Sequence, residues 1–467
     1  MGKLEEIKLD NTMYYKGFWG LSDVGITGEE WIDSAVSGIL KINDGKLKLE
    51  LNGLLYSSNI SKVYDGIDIF GCLSNGLYVK LEKCYLVYKD IATIGYRTEN
   101  YMANKGYILH NYQNNLKIGD TLKATQAYFS LDYLDDWYNI ELPFESEFSD
   151  FGNFSIKYTN DFFDKNNFEI FNGDFSVKLV RNMSAQYILY KGTIPKVESC
   201  ILVSSKNNKA IPIYTLYEIS MWIKEFINFI TQTFGKFIYF DFTYNKNVED
   251  INSDLNNDGN SIEDYTWYRG RLIFPQLSLD ENKLMMESLR LSYISKCFGD
   301  LINKWFINKN KLDYIMSLYT ENQIIYLDIR TKLVNQIRIL EIYYENFIRH
   351  KGSNTSSVHN KKYLVDKLKV VLDYCPDKLK SIFYDIDSNW YKDSQFIYNF
   401  SEKLKNTRNF YIHGSTKEKK IIFKDSREII RVSQVLDYII YFLVFKTLEV
   451  DENIILSYPY IRCKLMN

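Results

Sequence analysis

One short segment of this 467-residue sequence combines a permanent positive charge with a group that can move protons. It reads Asn-Thr-Arg-Asn-Phe-Tyr-Ile-His-Gly and places Arg408 and His413 five residues apart. The planar guanidinium of arginine suits a phosphate group, and histidine exchanges protons near neutral pH. Metal-free RNA cleavage needs a proton shuttle between the 2′-OH and the leaving 5′-oxygen, and a charge that stabilises the phosphorane. The segment is therefore a candidate site for this chemistry.

A helical conformation of the segment would decide which of its side chains are neighbours. Asn409 and His413 are four residues apart and would share one face of the helix. Arg408 and His413 are not strictly on one face, but the length of the arginine side chain can close the gap. Asn409 is thus predicted to orient His413 or to contact the substrate. A surface arginine and a helix-capping histidine without a catalytic role are the alternative interpretation of this spacing.

The region around this segment is more basic than the rest of the chain. Residues 402–431 contain nine lysines and arginines against four acidic residues, whereas the formal net charge of the whole protein is −2. A local positive charge of this size can follow a phosphate backbone. An ordinary solvated connection is the alternative. The predicted RNA-binding residues are Lys405, Lys417, Lys419 and Lys420.

The elements that position the segment are predicted to be helical from about residue 283 onward. A helix over 394–413 ends at Gly414, a residue type that is common just beyond a helix end. Asp425 has capping-box spacing with an acidic residue three positions later, and it begins another helix that extends to about residue 448. Residues 435–445 are apolar on nearly all sides of that helix, so we expect them to lie centrally. The pattern favours an up-and-down helical bundle.

The first half of the chain is predicted to be rich in β-strands. Short segments between about residues 37 and 210 alternate apolar and polar residues, as at 47–51, and turn residues such as those at 43–45 separate them. Many short strands of this kind are typical of a sandwich or an open barrel. The period becomes helical over 216–234, and one more strand follows. We predict an α+β multidomain protein with three parts: a β-rich domain at 1–245, a connection at 246–282 and the helical domain at 283–467.

The composition argues against several other classes of protein. Six scattered cysteines without a CxxC pair, and only four histidines, predict neither a disulfide framework nor a metal site, and no cofactor is expected. The stretch 254–265 begins like a calcium loop but has Tyr265 where a glutamate is required. No apolar run reaches the roughly 18 residues of a membrane span, and no secretion signal is recognisable. We expect a cytoplasmic protein that does not bind membranes.

Both halves of the chain resemble one family of bacterial proteins. The run Arg408-Asn409, three further residues and His413 resembles the RN-x3-H signature of HEPN domains, in particular the ApeA-like HEPN class of abortive-infection proteins. In the first half, Trp19-Gly20, the predicted hairpin at 37–53 and the segment 130–139 resemble the N-terminal domain that accompanies this class. The resemblance covers most of the chain.

The resemblance implies an antiviral endoribonuclease that needs no metal and cleaves RNA through Arg408, Asn409 and His413. It implies a homodimer in which two such motifs line one cleft. It also implies an N-terminal domain that controls the nuclease, either by sensing a phage-derived trigger or by restraining cleavage. Glu341, on a predicted helix over 324–349, matches a position that is often acidic in these families. It could orient His413 or Arg408, or it could be a solvated helix residue. A non-catalytic HEPN module that binds nucleotides or partners is the alternative function.

Overall fold

The computed structural model divides into two compact units, which confirms an α+β class. The first unit consists of Met1–Lys224 and Gly235–Asn282, and the second of Glu225–Phe234 and Lys283–Asn467. The structure describes residues 7–9, 12–21, 33–55, 65–90, 97–110, 121–138, 144–148, 154–158, 167–188, 192–244, 268–276, 288–324, 327–349, 363–414 and 422–466.

Antiparallel strands form most of the first unit, and thirteen of the described strands belong to one sheet. The strands are β1 (Met13–Gly20), β2 (Val36–Asn43), β3 (Lys46–Leu51), β4 (Asp65–Leu73), β5 (Tyr78–Asp90), β6 (Thr98–Ala103), β7 (Lys105–Leu109), β8 (Lys123–Ala124), β9 (Gln126–Leu131), β10 (Phe144–Phe148), β11 (Phe154–Tyr158), β12 (Asn167–Ile170), β13 (Phe175–Ile188), β14 (Gly192–Ser205), β15 (Ile211–Pro212), β16 (Phe237–Tyr244) and β17 (Tyr268–Ile273). Two helices accompany them, α1 (Leu134–Tyr138) and α2 (Ile213–Thr231).

Six of the strands close into a barrel in the order β5-β4-β1-β2-β3-β6, because β6 also pairs with β5. The predicted alternation is confirmed, since Leu47, Leu49 and Leu51 are each 1% exposed and face the core. The hairpin that carries them turns at Asp44 and Gly45, which both have positive φ angles. Such angles fit the right-handed twist of paired strands.

The barrel continues into the rest of the sheet through β5. This strand is 13 residues long; its first five residues pair with β7, and its end pairs with β6. From β7 the sheet runs on through β17, β16, β9, β14 and β13 to β12. One long strand therefore serves both the barrel and the open part of the sheet.

Part of the predicted connection at 246–282 belongs to this sheet. Residues 268–273 form β17, which pairs with β16 on one side and with β7 on the other. Arg271 is buried in the middle of it, and its guanidinium donates a hydrogen bond of 2.8 Å to Asp241. Arg269 and Arg271 interrupt the apolar alternation of this strand. The carboxylate that neutralises Arg271 is that of Asp241, 30 residues earlier in the chain.

Helices form the second unit, and the described residues from 288 onward contain no strand, as predicted. The helices are α3 (Leu291–Ile294), α4 (Phe298–Ile307), α5 (Lys309–Ile324), α6 (Ile329–Tyr343), α7 (Leu364–Asp373), α8 (Asp377–Lys380), α9 (Phe396–His413), α10 (Ser426–Thr447), α11 (Glu452–Ser457) and α12 (Pro459–Met466). A π-helical turn, Tyr344–Ile348, continues α6, and short 3-10 turns lie at Ser381–Asp385 and Trp390–Lys392.

Helix α10 lies at the centre of this unit. Between residues 435 and 445 every side chain except Tyr438 is buried, which confirms the position expected from the sequence. Helix α6 packs against α10, and also contacts α7 and α9. The buried Gln336 of α6 donates hydrogen bonds to the Asp437 carboxylate (2.7 Å) and to the Ser433 carbonyl (2.9 Å) of α10. These bonds hold the two helices in one register.

The single helix predicted over 324–349 is wrong at its N-terminal end. Helix α5 already ends at Ile324, and α6 begins only at Ile329. Asp328 precedes α6 with an extended ψ angle of 135°, so the helical backbone is interrupted there. The apolar periodicity continues across the break because both helices bury one face in the same unit.

The C-terminal part of α2 belongs to the helical unit, although the sequence analysis placed it in the β-rich domain. The Phe229 ring packs against Trp305, Tyr319 and Tyr441, with ring centroids 5.2–6.2 Å apart. The Tyr441 hydroxyl donates a hydrogen bond of 3.1 Å to the carbonyl of Ile230. Residues 225–234 are thus part of the helical core, and periodicity along the chain carries no information on which core a helix joins.

Candidate active site

Helix α9 carries the candidate catalytic residues and is fixed by its buried face. Phe396, Phe400, Leu404 and Thr407 are buried at helical spacing, so the other face is left toward solvent. The helix ends as predicted at Gly414, which has a φ angle of 63° and donates its amide to the Phe410 carbonyl at 2.9 Å. This backbone conformation favours glycine.

Arg408 projects from α9 toward α6 and meets Glu341. Its Nη2 atom lies 3.5 Å from the Oε2 atom of Glu341, and each side chain is about a quarter exposed. Its Nε atom is buried and has no hydrogen-bond partner among the described residues. Of the three possibilities considered for Glu341, this contact fits the orientation of Arg408. The exposed part of the guanidinium can donate hydrogen bonds to a phosphate.

His413 stands apart from this pair. It lies in the last turn of α9, is exposed, and makes no hydrogen bond or ion pair within the described part of the chain. Asn409 is half-buried one turn before His413, and Lys405 is half-buried one turn before Asn409. A single chain thus presents an arginine with a carboxylate partner and a separate, accessible histidine.

The described residues before and after the basic connection contact each other. Lys417, Lys419 and Lys420 lie outside the described residues. Where the chain is described again, the Phe423 amide donates to Thr407 Oγ1 at 3.0 Å and the Tyr411 hydroxyl donates to the Phe423 carbonyl at 3.2 Å. The described segment that follows the connection is therefore held against α9 at residues on either side of Arg408.

Three charged residues that the sequence analysis did not consider extend the Arg408–Glu341 pair. Lys367 of α7 lies 3.5 Å from Glu341 and 2.6 Å from Glu345, measured between nitrogen and carboxylate oxygen. Arg349 lies 2.7 Å from Glu345. The spacing of Glu341, Glu345 and Arg349, four residues apart along one helix, could have predicted that they are neighbours on one face. The contact of Lys367 with this face could not be predicted in the same way, because Lys367 lies on another helix.

The electrostatic environment keeps these groups charged. Burial favours the neutral form of Lys367, but its hydrogen bonds to Glu345 and the nearby carboxylates outweigh this effect and raise its pKa. Burial also acts against the charged form of Glu345, yet its bonds from Lys367 and Arg349 lower its pKa. Both shifts favour the ion pair over the neutral pair at neutral pH.

The described residues contain no group of three or more histidine, cysteine and acidic side chains arranged to hold a metal ion. The search for membrane spans finds no described helix that is both long and apolar enough to cross a bilayer.

The architecture defined so far is that of a β-rich unit joined to a helical unit with an Arg-Asn-x3-His motif at a helix end. Residues 331–454 match the family model described as Apea-like HEPN. The C-terminal region therefore contains an Apea-like HEPN domain, and the resemblance inferred from the sequence is confirmed there. The match includes Glu341, Lys367, Arg408 and His413. Neither the curated proteins nor the solved structures contain a significant match.

Proposed function

We propose that this protein is a metal-independent endoribonuclease in antiviral, abortive-infection defence, and that the Arg408–Asn409–His413 motif cleaves RNA. The observation that carries the proposal is that the motif lies within the residues matched by the Apea-like HEPN model, at the C-terminal end of α9. The Arg408 side chain is about a quarter exposed and has a carboxylate contact of 3.5 Å to Glu341, and His413 is exposed and accessible to a bound substrate.

The proposed reaction requires no net gain or loss of protons by the enzyme. His413 takes the proton of the ribose 2′-OH, and the 2′-oxygen attacks the adjacent phosphorus. Arg408 stabilises the charge of the phosphorane, and the proton passes to the 5′-oxygen as its bond to phosphorus breaks. The products are a 2′,3′-cyclic phosphate and a 5′-hydroxyl. Asn409 orients His413 or contacts the RNA, and Lys405, Lys417, Lys419 and Lys420 bind its backbone.

Within the described residues of one chain no hydrogen bond or ion pair joins His413 to Arg408, which leaves room for assembly of the site by two chains. In a two-fold homodimer with facing ends of α9, His413 of one subunit could act beside Arg408 of the other. The absence of such a contact also fits the second candidate function, a non-catalytic HEPN module that binds nucleotides or a partner. In both cases the β-rich unit would control the helical unit, with a phage-derived molecule as the proposed trigger and the cytoplasm as the proposed location.

The deciding experiment compares wild type, His413→Ala and Arg408→Ala on total RNA, followed by mapping of the cut ends. Each variant should lose about a hundredfold or more of the cleavage rate. Arg462→Ala is the matched control, because Arg462 is an exposed arginine of the same unit outside the motif. Cleavage should persist in EDTA. Full activity of His413→Ala, or loss of activity on chelation, would overturn the mechanism, and RNA binding without cleavage by wild type would favour the binding module.

A further inference from the structure

Four ion pairs link Arg408 to three helical segments in a row of alternating charges. The row runs Arg349, Glu345, Lys367, Glu341, Arg408, and the nitrogen–oxygen distances along it are 2.7, 2.6, 3.5 and 3.5 Å. The short distances are those of Glu345, and both distances of Glu341 are long. Glu341 is therefore shared between two cations and holds neither of them closely.

Partial burial makes these charges matter more than those of an open surface. The side chain of Lys367 is 14% exposed, and those of Glu341 and Arg408 are about a quarter exposed. Charges in such positions are screened less by water and salt than fully exposed ones. Removal of Lys367 would leave Glu341 with Arg408 as its remaining partner in this row, and the attraction between them would rise.

A strong hold by Glu341 would oppose the role of Arg408, because the guanidinium must exchange a carboxylate for a phosphate when RNA binds. We infer that Lys367 is a positioning residue that weakens the hold of Glu341 on Arg408 and so keeps the guanidinium available for an RNA phosphate. This inference rests on the proposed function, since it assigns Arg408 to the substrate. Glu345 and Arg349 fix the position of Lys367 from the other side.

The test uses the full chain with Lys367→Met, which keeps the apolar stem and removes the charge. We expect the KM for RNA to rise about threefold to fivefold, the size typical of a partly exposed ion pair, with a smaller change in kcat. Lys367→Arg should restore the wild-type KM, since it restores the charge. Lys369→Met is the matched control, because Lys369 is exposed on the same helix. A KM equal to that of this control would overturn the inference.

A double variant separates positioning from simple loss of stability. In Lys367→Met/Glu341→Gln the carboxylate that would hold Arg408 is gone, so the KM should return toward that of Glu341→Gln alone. A merely structural role of Lys367 predicts instead that the two defects add. Thermal unfolding of each variant shows whether the fold persists, and an additive result in folded proteins would count against the inference.

A binding assay distinguishes failure of this inference from failure of the proposed function. A 2′-O-methyl RNA oligonucleotide lacks the attacking hydroxyl, so its Kd reports binding without cleavage. Weaker binding by Lys367→Met supports the inference even if wild type never cleaves RNA. Equal binding by Lys367→Met and Lys369→Met overturns it even if cleavage is observed. Absence of RNA binding by wild type would overturn both proposals.

Discussion

At the scale of single residues, the molecule uses its buried charges in two different ways. Arg271 is buried in the sheet with Asp241 as a bidentate partner, so it stabilises packing and leaves no donor for a ligand on that side. Arg408 has a loose carboxylate partner and one unpaired nitrogen. Removal of Asp241 would leave the buried Arg271 charge without a counter-ion, whereas the partly exposed Arg408 would remain accessible to water without Glu341.

Asp132 provides a test of buried charge in the β-rich unit. It is half-buried at the end of β9, where a Cβ atom on Gly235 would lie 2.2 Å from its Oδ1 atom. Burial raises its pKa to about 6 from an ordinary value of 3.8, although the Lys224 and Lys236 charges act in the opposite direction. Between these two pH values the folded protein holds a proton that the unfolded chain releases.

Asp132 should therefore make the folded state less stable as the pH rises. Its contribution is most favourable below about pH 4 and is lost as the pH increases to about 6. We expect the free energy of unfolding of Asp132→Asn, relative to wild type, to increase over this interval. Urea denaturation at several pH values measures it, and parallel curves for the two proteins would contradict the assignment.

At the scale of elements, the start of α10 depends on one capping side chain. The Asp425 carboxylate accepts hydrogen bonds from the amides of Arg427 (2.6 Å) and Glu428 (3.4 Å). Asp425→Ala should lower the free energy of unfolding of the helical unit by about 1 kcal/mol, because both amides lose a partner at the positive end of the helix dipole. Ser426→Ala, at the next exposed position, is the control, with an expected change below about 0.5 kcal/mol. Equal urea midpoints for the two variants would refute the role of the cap.

At the scale of the whole molecule, the chain crosses between its two units more often than the order of domains suggests. Residues 225–234 belong to the helical unit, and the sequence then returns to the sheet through β16 and β17 before the remaining helices begin. A fragment cut at residue 283 would therefore lack part of the helical core.

Phe229 tests this arrangement. In Phe229→Ala the rings of Trp305, Tyr319 and Tyr441 lose their common neighbour, and the free energy of unfolding should fall by about 3–5 kcal/mol. The effect should appear in the unfolding of the helical unit. The fluorescence of Trp305 reports this unfolding in a protein whose other tryptophans are replaced. The fragment 283–467 should bind hydrophobic dyes more strongly than the full chain. A fragment as stable as the full chain would show that residues 225–234 are dispensable.

Local sequence determined the features that depend on a few neighbouring residues. The hairpin turn at Asp44-Gly45, the end of α9 at Gly414, the cap of α10 at Asp425 and the central position of residues 435–445 all follow from backbone preferences or periodicity. Each of these features depends on residues within one or two turns of the chain, so it can be predicted without knowledge of the fold. The Arg408–His413 motif was recognisable for the same reason.

Tertiary structure alone decided which distant residues meet. Closure of the barrel depends on β5 pairing with β6, and Phe229 joins the helical core rather than the β-rich unit. Strand β17 pairs with β16 and β7, and its buried Arg271 finds a carboxylate in Asp241 of β16. Lys367 likewise reaches Glu341 only through the packing of α7 on α6. Each of these contacts joins segments far apart in the chain, and its free energy depends on the simultaneous burial of both partners, which no local pattern encodes.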